Sequence, residues 1–173
     1  MRSFLAVFLC STGLFAAGEL SHRRAPGFSI VDAAMQQHDL ADYRGKYVIL
    51  DIMQTTCAHC QKFSEILEKI SIQYRPKVQP LSLVVPPDSL PIVQTYIRTH
   101  NITIPMLFDC GQVAASYLRI GPSRPTVTFP HAFLIDPQGN IVNDWGYDPE
   151  TKEIFEGGGL SKELDRVLGA GKK

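Results

Sequence analysis

The sequence predicts an α/β fold in which helices cover both faces of a mixed central sheet. Three observations lead to this prediction. The run Val48–Met53 is apolar at nearly every position, which is typical of a strand covered on both faces. A helical pattern follows it, and a second apolar run, Leu81–Val85, follows that helix, so the two strands are expected to be parallel. Further on, two short strands between 133 and 145 flank a tight turn, which predicts an antiparallel hairpin.

The composition fits one domain with no marked charge. The chain has 173 residues, of which 45% are hydrophobic and 20% charged, enough for one well-buried core. Seventeen basic residues balance seventeen acidic ones. Such a balance provides no overall field that would attract nucleic acid or an anionic membrane, so neither is expected as a partner.

The N-terminal sequence predicts that the protein is exported. Arg2 precedes an apolar stretch that ends in small residues, the pattern of a secretory signal peptide, here residues 1–18. The stretch is shorter than the roughly 20 residues that span a bilayer, so no stable membrane span is expected. The mature protein is then periplasmic or otherwise extracytoplasmic, with a polar linker over 19–27 and one domain over 28–173.

The first half of that domain shows strand and helix patterns in turn. A weak alternation over 28–32 predicts a short edge strand, and Gly45 marks a turn before the buried strand. After Cys60 an apolar face recurs with helical spacing as far as Arg75, where Pro76 ends the helix. This face consists of Phe63, Ile66, Leu67, Ile70 and Tyr74.

The second half repeats the pattern in shorter elements. Ser89 is placed to cap a second helix with Pro91 in its first turn. Met106–Phe108 predicts a short strand, and the residues after Gly111 predict a short helix. The remaining segments are predicted as an irregular stretch (121–130), hairpin strands (133–135 and 141–145), a loop (150–159) and a last amphipathic helix (160–168).

The segment Cys57-Ala58-His59-Cys60 lies where the buried strand gives way to the helix. Two cysteines at this spacing are typical of redox exchange. A cysteine at a helix N-terminus meets the positive end of the dipole and free N–H groups, which stabilise the thiolate. Cys60, one turn further, is expected to be less exposed and to resolve the mixed disulfide. A structural zinc site needs four ligands, and no second such pair exists.

Several segments together resemble one protein family. They are Ala25–Ser29, Leu40–Lys46, the Cys57–Cys60 pair and Phe133–Asp136 followed by Gly139. Their combination is similar to the exported TlpA/ResA-like branch of the thioredoxin superfamily. The resemblance implies a thioredoxin-like fold and a thiol–disulfide oxidoreductase that needs no cofactor beyond its redox-active Cys57–Cys60 disulfide. Protein thiols or disulfides and an unidentified redox partner are the partners it implies.

The resemblance also assigns residues. It makes Cys57 the attacking and Cys60 the resolving cysteine, matches Pro130 to the cis-proline that faces the disulfide, and matches Asp51 to a buried acid. The segment Phe129-Pro130-His131 departs from the usual Val-Pro-Thr, and we expect it to bind the substrate.

His59 and Asp51 are expected to tune this chemistry. A protonated His59 beside Cys57 would stabilise its thiolate and make the couple more oxidising than thioredoxin, whose potential is about −270 mV; the alternative is a solvated histidine without effect. Asp51 in a buried strand is expected to have a raised pKa and to relay a proton to Cys60. Alternatively it lies at an edge and is hydrogen-bonded.

Two other functions compete. Cys57, Cys60 and His131 offer two thiolates and an imidazole, a set suited to copper. SCO-type copper proteins, however, use two cysteines three residues apart and a distant histidine. Here the spacing is two, which favours exchange. A peroxidase of the peroxiredoxin kind ranks last, because Gln54 stands where such enzymes have threonine.

Cys110 remains outside the pair. It is predicted to be a buried small hydrophobic residue, a second exchangeable thiol or a thiol that forms an intermolecular bond.

Overall fold

The structure, a computed structural model, describes residues 18–170. The expected signal peptide lies outside the described residues except for Gly18. The strands are β1 (Arg23–Arg24), β2 (Ser29–Val31), β3 (Gln37–Asp39), β4 (Tyr47–Met53), β5 (Val78–Val84), β6 (Met106–Phe108), β7 (His131–Ile135) and β8 (Asn140–Gly146). The helices are a 3-10 turn (Leu40–Tyr43), α1 (Ala58–Gln73), α2 (Leu90–His100), α3 (Gln112–Leu118), α4 (Lys152–Glu156) and α5 (Gly159–Ala170).

The central sheet is mixed, as predicted. Its strand order is β1-β8-β7-β4-β5-β6, with β4 parallel to β5 and β5 parallel to β6. Strand β7 pairs antiparallel with both β4 and β8, which confirms the predicted hairpin. Strands β2 and β3 form a separate antiparallel pair.

Each face of the sheet has its own core. Along β4, Ile49 and Met53 point to the face covered by α1, α2, α4 and α5, which we call the α1 face. Leu50 and Ile52 point to the opposite face, which α3 and the N-terminal segment cover. Helices therefore lie on both sides, and the alternation places Asp51 on the α1 face.

Two segments differ from the sequence prediction. Residues 19–27, expected to be a linker, contain β1, which pairs with the edge of β8. Leu20 is buried in the core beneath α3, so this segment belongs to the domain. The expected loop over 150–159 contains α4, because Ile154 and Phe155 are buried against α1 and stabilise one helical turn there. The sequence did not predict β1 because its segment is polar, and it did not predict α4 because three glycines follow it.

Among residues 18–170, the helices are all too short or too polar to cross a bilayer.

Candidate active site

Cys57 is the N-cap residue of α1. Its Sγ accepts a hydrogen bond from the Cys60 backbone N–H at 3.3 Å, so the helix start stabilises negative charge on this sulfur. Cys57 is partly exposed, whereas Cys60 is completely buried, and both are free thiols. The structure thus places an accessible sulfur first and a buried sulfur one turn later, as the sequence predicts.

The junction that carries Cys57 is held by side chains on both sides. Thr55 donates from its backbone N–H and its hydroxyl to the two carboxyl oxygens of Asp88, at 2.6 and 2.9 Å. The Gln61 amide donates to the Thr55 carbonyl at 2.9 Å, and the Gln54 amide donates to the Pro86 carbonyl at 2.8 Å. These bonds fix the direction in which the chain enters α1.

The end of the loop before β7 lies against Cys57. The Phe129–Pro130 peptide is cis, as the resemblance implies. The Cys57 thiol donates to the Phe129 carbonyl oxygen at 3.6 Å, and the Tyr147 N–H donates to the Pro130 carbonyl at 3.1 Å. The Phe129 carbonyl therefore lies beside the Cys57 sulfur, with Pro130 directly after it.

Asp51 lies on the α1 face and is completely buried. Burial raises the pKa of its carboxyl well above the usual range, as expected for an acid in a central strand. Burial, then the charge of Asp51, then the hydrogen bond with Cys57 raise the pKa of the Cys60 thiol. Cys60 therefore stays protonated until a base removes its proton, and Asp51 is the buried acid that influences it.

Asp51 belongs to a row of buried polar side chains. The strand register aligns Ser82, Asp51, Ala132 and Trp145 across β5, β4, β7 and β8. The Ser82 hydroxyl, both Asp51 oxygens and the Trp145 indole nitrogen have no hydrogen-bond partner within the described part of the chain. Buried polar atoms are normally bonded to protein or to ordered water, so this row is a polar strip within the apolar core beneath α1.

A second polar contact lies behind Cys60. The Ser64 hydroxyl donates to the Cys60 carbonyl at 3.1 Å and accepts from the Tyr96 hydroxyl at 3.1 Å. Burial raises the pKa of Tyr96 to about 12, so its phenol remains a neutral donor. These bonds tie α2 to the first turns of α1.

His59 contacts an acid that the sequence did not indicate. Its Nδ1 lies 2.7 Å from Oε1 of Glu156, and its ring stacks on Tyr147 with centroids 4.0 Å apart. The Tyr147 hydroxyl donates to the same oxygen at 2.7 Å. Lys62 and Lys152 lie 3.7 and 3.6 Å from the other oxygen, Oε2.

These contacts determine the charge of Glu156. The hydrogen bond from Tyr147 is the largest influence and outweighs burial, and the His59 bond and the two lysines add to it. Together they lower the pKa of Glu156 to about 2. Glu156 is thus ionised at any pH near neutrality.

Sequence reasoning missed Glu156 and Tyr147. Glu156 lies in the segment expected to be a loop, and no local pattern links it to His59. Tyr147 had a usable signal, since it directly follows the hairpin strand that the register places beside Pro130.

His131 does not join the cysteines, which corrects the copper hypothesis. It aligns with Ile52 in the register, and its side chain is on the face opposite α1. Its Nε2 lies 3.2 Å from Oδ2 of Asp144, and both side chains are buried. Within residues 18–170, no group of three His, Cys, Asp or Glu side chains is arranged to hold a metal ion. The set Cys57, Cys60 and His131 is therefore not assembled.

Cys110 is exposed, directly before the N-cap glycine of α3. Of the alternatives for this residue, the buried one is wrong, because Cys110 is exposed in the connection between β6 and α3.

Comparison with known proteins shows the family to which the chain belongs. The model of a family described as AhpC/TSA matches residues 22–143, which is well over half of the chain. The chain belongs to the AhpC/TSA family. A thiol-disulfide oxidoreductase ResA from Bacillus thuringiensis is 26% identical to this family member over 152 residues, covering 87% of this chain and 84% of that protein. A thioredoxin-like protein YneN from Bacillus subtilis is 25% identical over 136 residues, covering 78% and 75%.

Solved structures show the same fold. A putative thiol:disulfide interchange protein DsbE from Chlorobium tepidum superposes with a TM-score of 0.70 at 20% identity, covering 86% of this chain and 97% of that one. The predicted thioredoxin-like fold is thus confirmed. The relatives confirm the ResA-like branch of the thioredoxin superfamily and the enzyme class, thiol–disulfide oxidoreductase.

Proposed function

We propose that this protein is an extracytoplasmic thiol–disulfide oxidoreductase that exchanges disulfides with protein cysteines through Cys57 and Cys60. One observation supports this most strongly. The Cys57 sulfur is accessible, caps α1 and accepts the Cys60 N–H, while the Cys60 thiol is buried one turn behind it. An accessible thiolate followed by a protected thiol is the arrangement that attack and resolution require.

In the reducing direction, the Cys57 thiolate attacks one sulfur of a partner disulfide. The partner S–S bond breaks, a mixed disulfide forms, and the other partner sulfur leaves as a thiolate that takes up a proton. Cys60 then loses its proton and attacks Cys57 Sγ, which releases the second partner sulfur. The second partner sulfur also leaves as a thiolate. Two electrons pass from the cysteine pair to the partner; one of the two protons that the partner sulfurs take up replaces the proton lost by Cys60, and the other comes from solvent, to which Cys57 gave up its proton before the attack. Oxidation of a partner dithiol is the reverse sequence.

Asp51 is the proposed acceptor of the Cys60 proton. The ionised Asp51 carboxylate can take up the Cys60 proton, and burial, which raises the pKa of Asp51, favours the protonated acid that results. Ser82 faces it across the parallel strands and offers a hydroxyl to the same strip.

Phe129 and Pro130 form the proposed contact surface for the partner. The Phe129 carbonyl lies at the reacting sulfur, and the aromatic ring of Tyr147 continues the surface beside it. His131, also expected in this role, faces away from Cys57, so the proposed surface does not include it.

The extracytoplasmic location rests on the N-terminal pattern of residues 1–18. N-terminal sequencing of the exported protein tests it, and a mature chain that begins near Glu19 is expected. A chain retained in the cytoplasm with residues 1–18 intact would contradict the location without affecting the exchange chemistry.

A trapping experiment tests the exchange itself. In a chain of residues 19–173 that carries Cys110→Ser, which removes the other exposed thiol of the described residues, Cys60→Ser is mixed with a peptide that contains one disulfide. We expect a stable mixed disulfide between Cys57 and the peptide. Cys57→Ser is the matched control and forms none, because Cys60 is buried. Equal trapping by the two variants, or trapping by neither, would contradict the proposed function.

A further inference from the structure

The contacts of Glu156 define a site that the exchange mechanism above does not use. Its Oε1 accepts from the Tyr147 hydroxyl and contacts Nδ1 of His59, both at 2.7 Å. Lys62 and Lys152 face its other oxygen. These four side chains converge on one carboxylate from α1, α4 and the segment after β8.

The carboxylate fixes the proton of His59. An ionised carboxylate has no hydrogen to donate, so a 2.7 Å contact with an imidazole nitrogen requires that the nitrogen carry the proton. Nδ1 is then the donor. Within the described residues His59 Nε2 has no hydrogen-bond partner, so in the neutral ring Nε2 is the nitrogen without a proton.

The ring is also held in place. It stacks nearly parallel to Tyr147, at an interplanar angle of 22°. Tyr147 in turn is bonded through its own N–H to the Pro130 carbonyl, and the residue before Pro130, Phe129, contacts Cys57 Sγ through its carbonyl oxygen at 3.6 Å. The stack therefore lies at the N-terminal end of α1, where Cys57 also lies, although the sequence separates His59 and Tyr147 widely.

We propose that Glu156 and Tyr147 are positioning residues for His59, holding its ring beside Cys57 with the proton on Nδ1. In this role Glu156 supports the charged imidazole electrostatically, as the carboxylate does in a Cys-His-acid arrangement, and the imidazole stabilises the Cys57 thiolate. The inference rests on the proposed function, because it assigns Glu156 and Tyr147 to the exchange site.

Four variants separate the effect of the Glu156 charge from that of its hydrogen bonds and from that of any acid on α4. Glu156→Gln keeps the shape and removes the charge, Glu156→Ala removes both, and Tyr147→Phe keeps the stack without its hydroxyl. Glu153→Gln is the matched control, since Glu153 is an exposed acid on the same helix. All variants carry Cys110→Ser, and their thermal unfolding verifies that they fold.

The first readout is independent of redox chemistry. Nitrogen-15 NMR of the neutral imidazole at mildly alkaline pH shows which ring nitrogen of His59 carries the proton. We expect Nδ1–H in the parent and in Glu153→Gln, and a change toward Nε2–H, the form preferred by free imidazole, in Glu156→Ala. Nε2–H in the parent would overturn the proposal.

The second readout is the alkylation rate of Cys57 at mildly acidic pH, which follows its thiolate fraction. We expect Glu156→Gln to slow it by about tenfold, the lower end of the range for loss of an outer-shell partner, with a smaller loss in Tyr147→Phe. In a His59→Gln background, Glu156→Gln should have no effect. An equal effect in that background, or the same loss in Glu153→Gln, would overturn the proposal.

Failure of this inference is distinguishable from failure of the proposed function. If the parent does not exchange with the disulfide peptide, the function is wrong, whatever the His59 tautomer. If exchange is normal but Glu156→Gln alkylates at the parent rate, only the positioning role is wrong.

Discussion

Asp51 and Trp145 lie on the same face of the sheet, two strands apart, with only Ala132 between them. Both side chains are buried, and their polar atoms have no partner within the described residues. Trp145 is the single tryptophan of the chain. Its fluorescence is therefore an intrinsic probe of the polar strip next to the cysteine pair.

Asp51→Asn is expected to stabilise the protein at neutral pH. The folded-state pKa of Asp51 is raised, so its contribution to stability is complete below the unfolded pKa of about 3.9 and is lost as the pH rises through the folded pKa. Asn cannot ionise, so Asp51→Asn does not lose this stability. The free energy of unfolding lost by the parent is about 1.4 kcal/mol for each unit by which the pKa of Asp51 is raised.

Urea unfolding of reduced protein, followed by Trp145 fluorescence between acidic and alkaline pH, measures this effect. The gain in Asp51→Asn should grow with pH, whereas Asp42→Asn, an exposed acid in the 3-10 turn, should show none. A gain that does not change with pH would contradict a raised pKa for Asp51.

Asp144→Ala is expected to loosen the N-terminal segment. Oδ1 of Asp144 accepts from the Leu20 N–H at 3.0 Å and from the Ser21 hydroxyl at 2.6 Å, and Oδ2 contacts His131. The variant leaves buried donors unpaired and should lose about 2–3 kcal/mol of unfolding free energy. Hydrogen exchange at the Leu20 amide should accelerate, and unchanged protection there would be the opposite result.

The Asp144 carboxylate also makes the stability of the protein depend on pH in the acid range. Burial acts to raise the pKa of Asp144, but the hydrogen bonds from His131 and Ser21 outweigh it and lower the pKa. The contribution of Asp144 to stability is therefore present above its unfolded pKa and is lost as the pH falls through the folded value. Asp144→Ala should not show this loss of stability at low pH, because it has no carboxyl group at this position.

The local patterns were sufficient for the main elements around the cysteines. The apolar run of β4, the helical spacing of α1 and the turn between β7 and β8 depend on neighbours in sequence, so periodicity identified them. The burial of Asp51 followed from its place in a central strand. The pairing of β1 with β8 and the contact of His59 with Glu156 join distant segments, and such contacts leave no local pattern. The face on which His131 lies depends on strand register, which the motif alone did not fix.

His131→Ala is expected to leave the cuprous-ion affinity of the reduced protein unchanged. The imidazole is bonded to Asp144 on the face opposite α1, where it cannot act as a ligand together with the two thiolates. Titration against a competing chelator checks this. Cys57→Ser is the positive control and should weaken any affinity by at least about tenfold, since a lost ligand costs no less than a lost outer-shell partner. A comparable loss in His131→Ala would restore the copper hypothesis.

Alkylation of the native protein should label Cys110 in both redox states. Cys110 is exposed, Cys57 is partly exposed and Cys60 is buried. Peptide mapping should find Cys57 labelled only after reduction, and Cys60 only after reduction and unfolding. Labelling of Cys60 in the folded, reduced protein would contradict its protected position behind Cys57.

The reduction potential of the Cys57–Cys60 pair tests the central claim most directly. The Cys110→Ser protein is equilibrated in glutathione buffers of graded potential and quenched by alkylation under denaturing conditions, and the fraction of peptide 57–60 in the disulfide form is measured by mass spectrometry. The account predicts one two-electron transition with a potential above that of thioredoxin, about −270 mV. A pair that forms no intramolecular disulfide at any potential would contradict exchange through Cys57 and Cys60, and a potential at or below that of thioredoxin would remove His59 from the account.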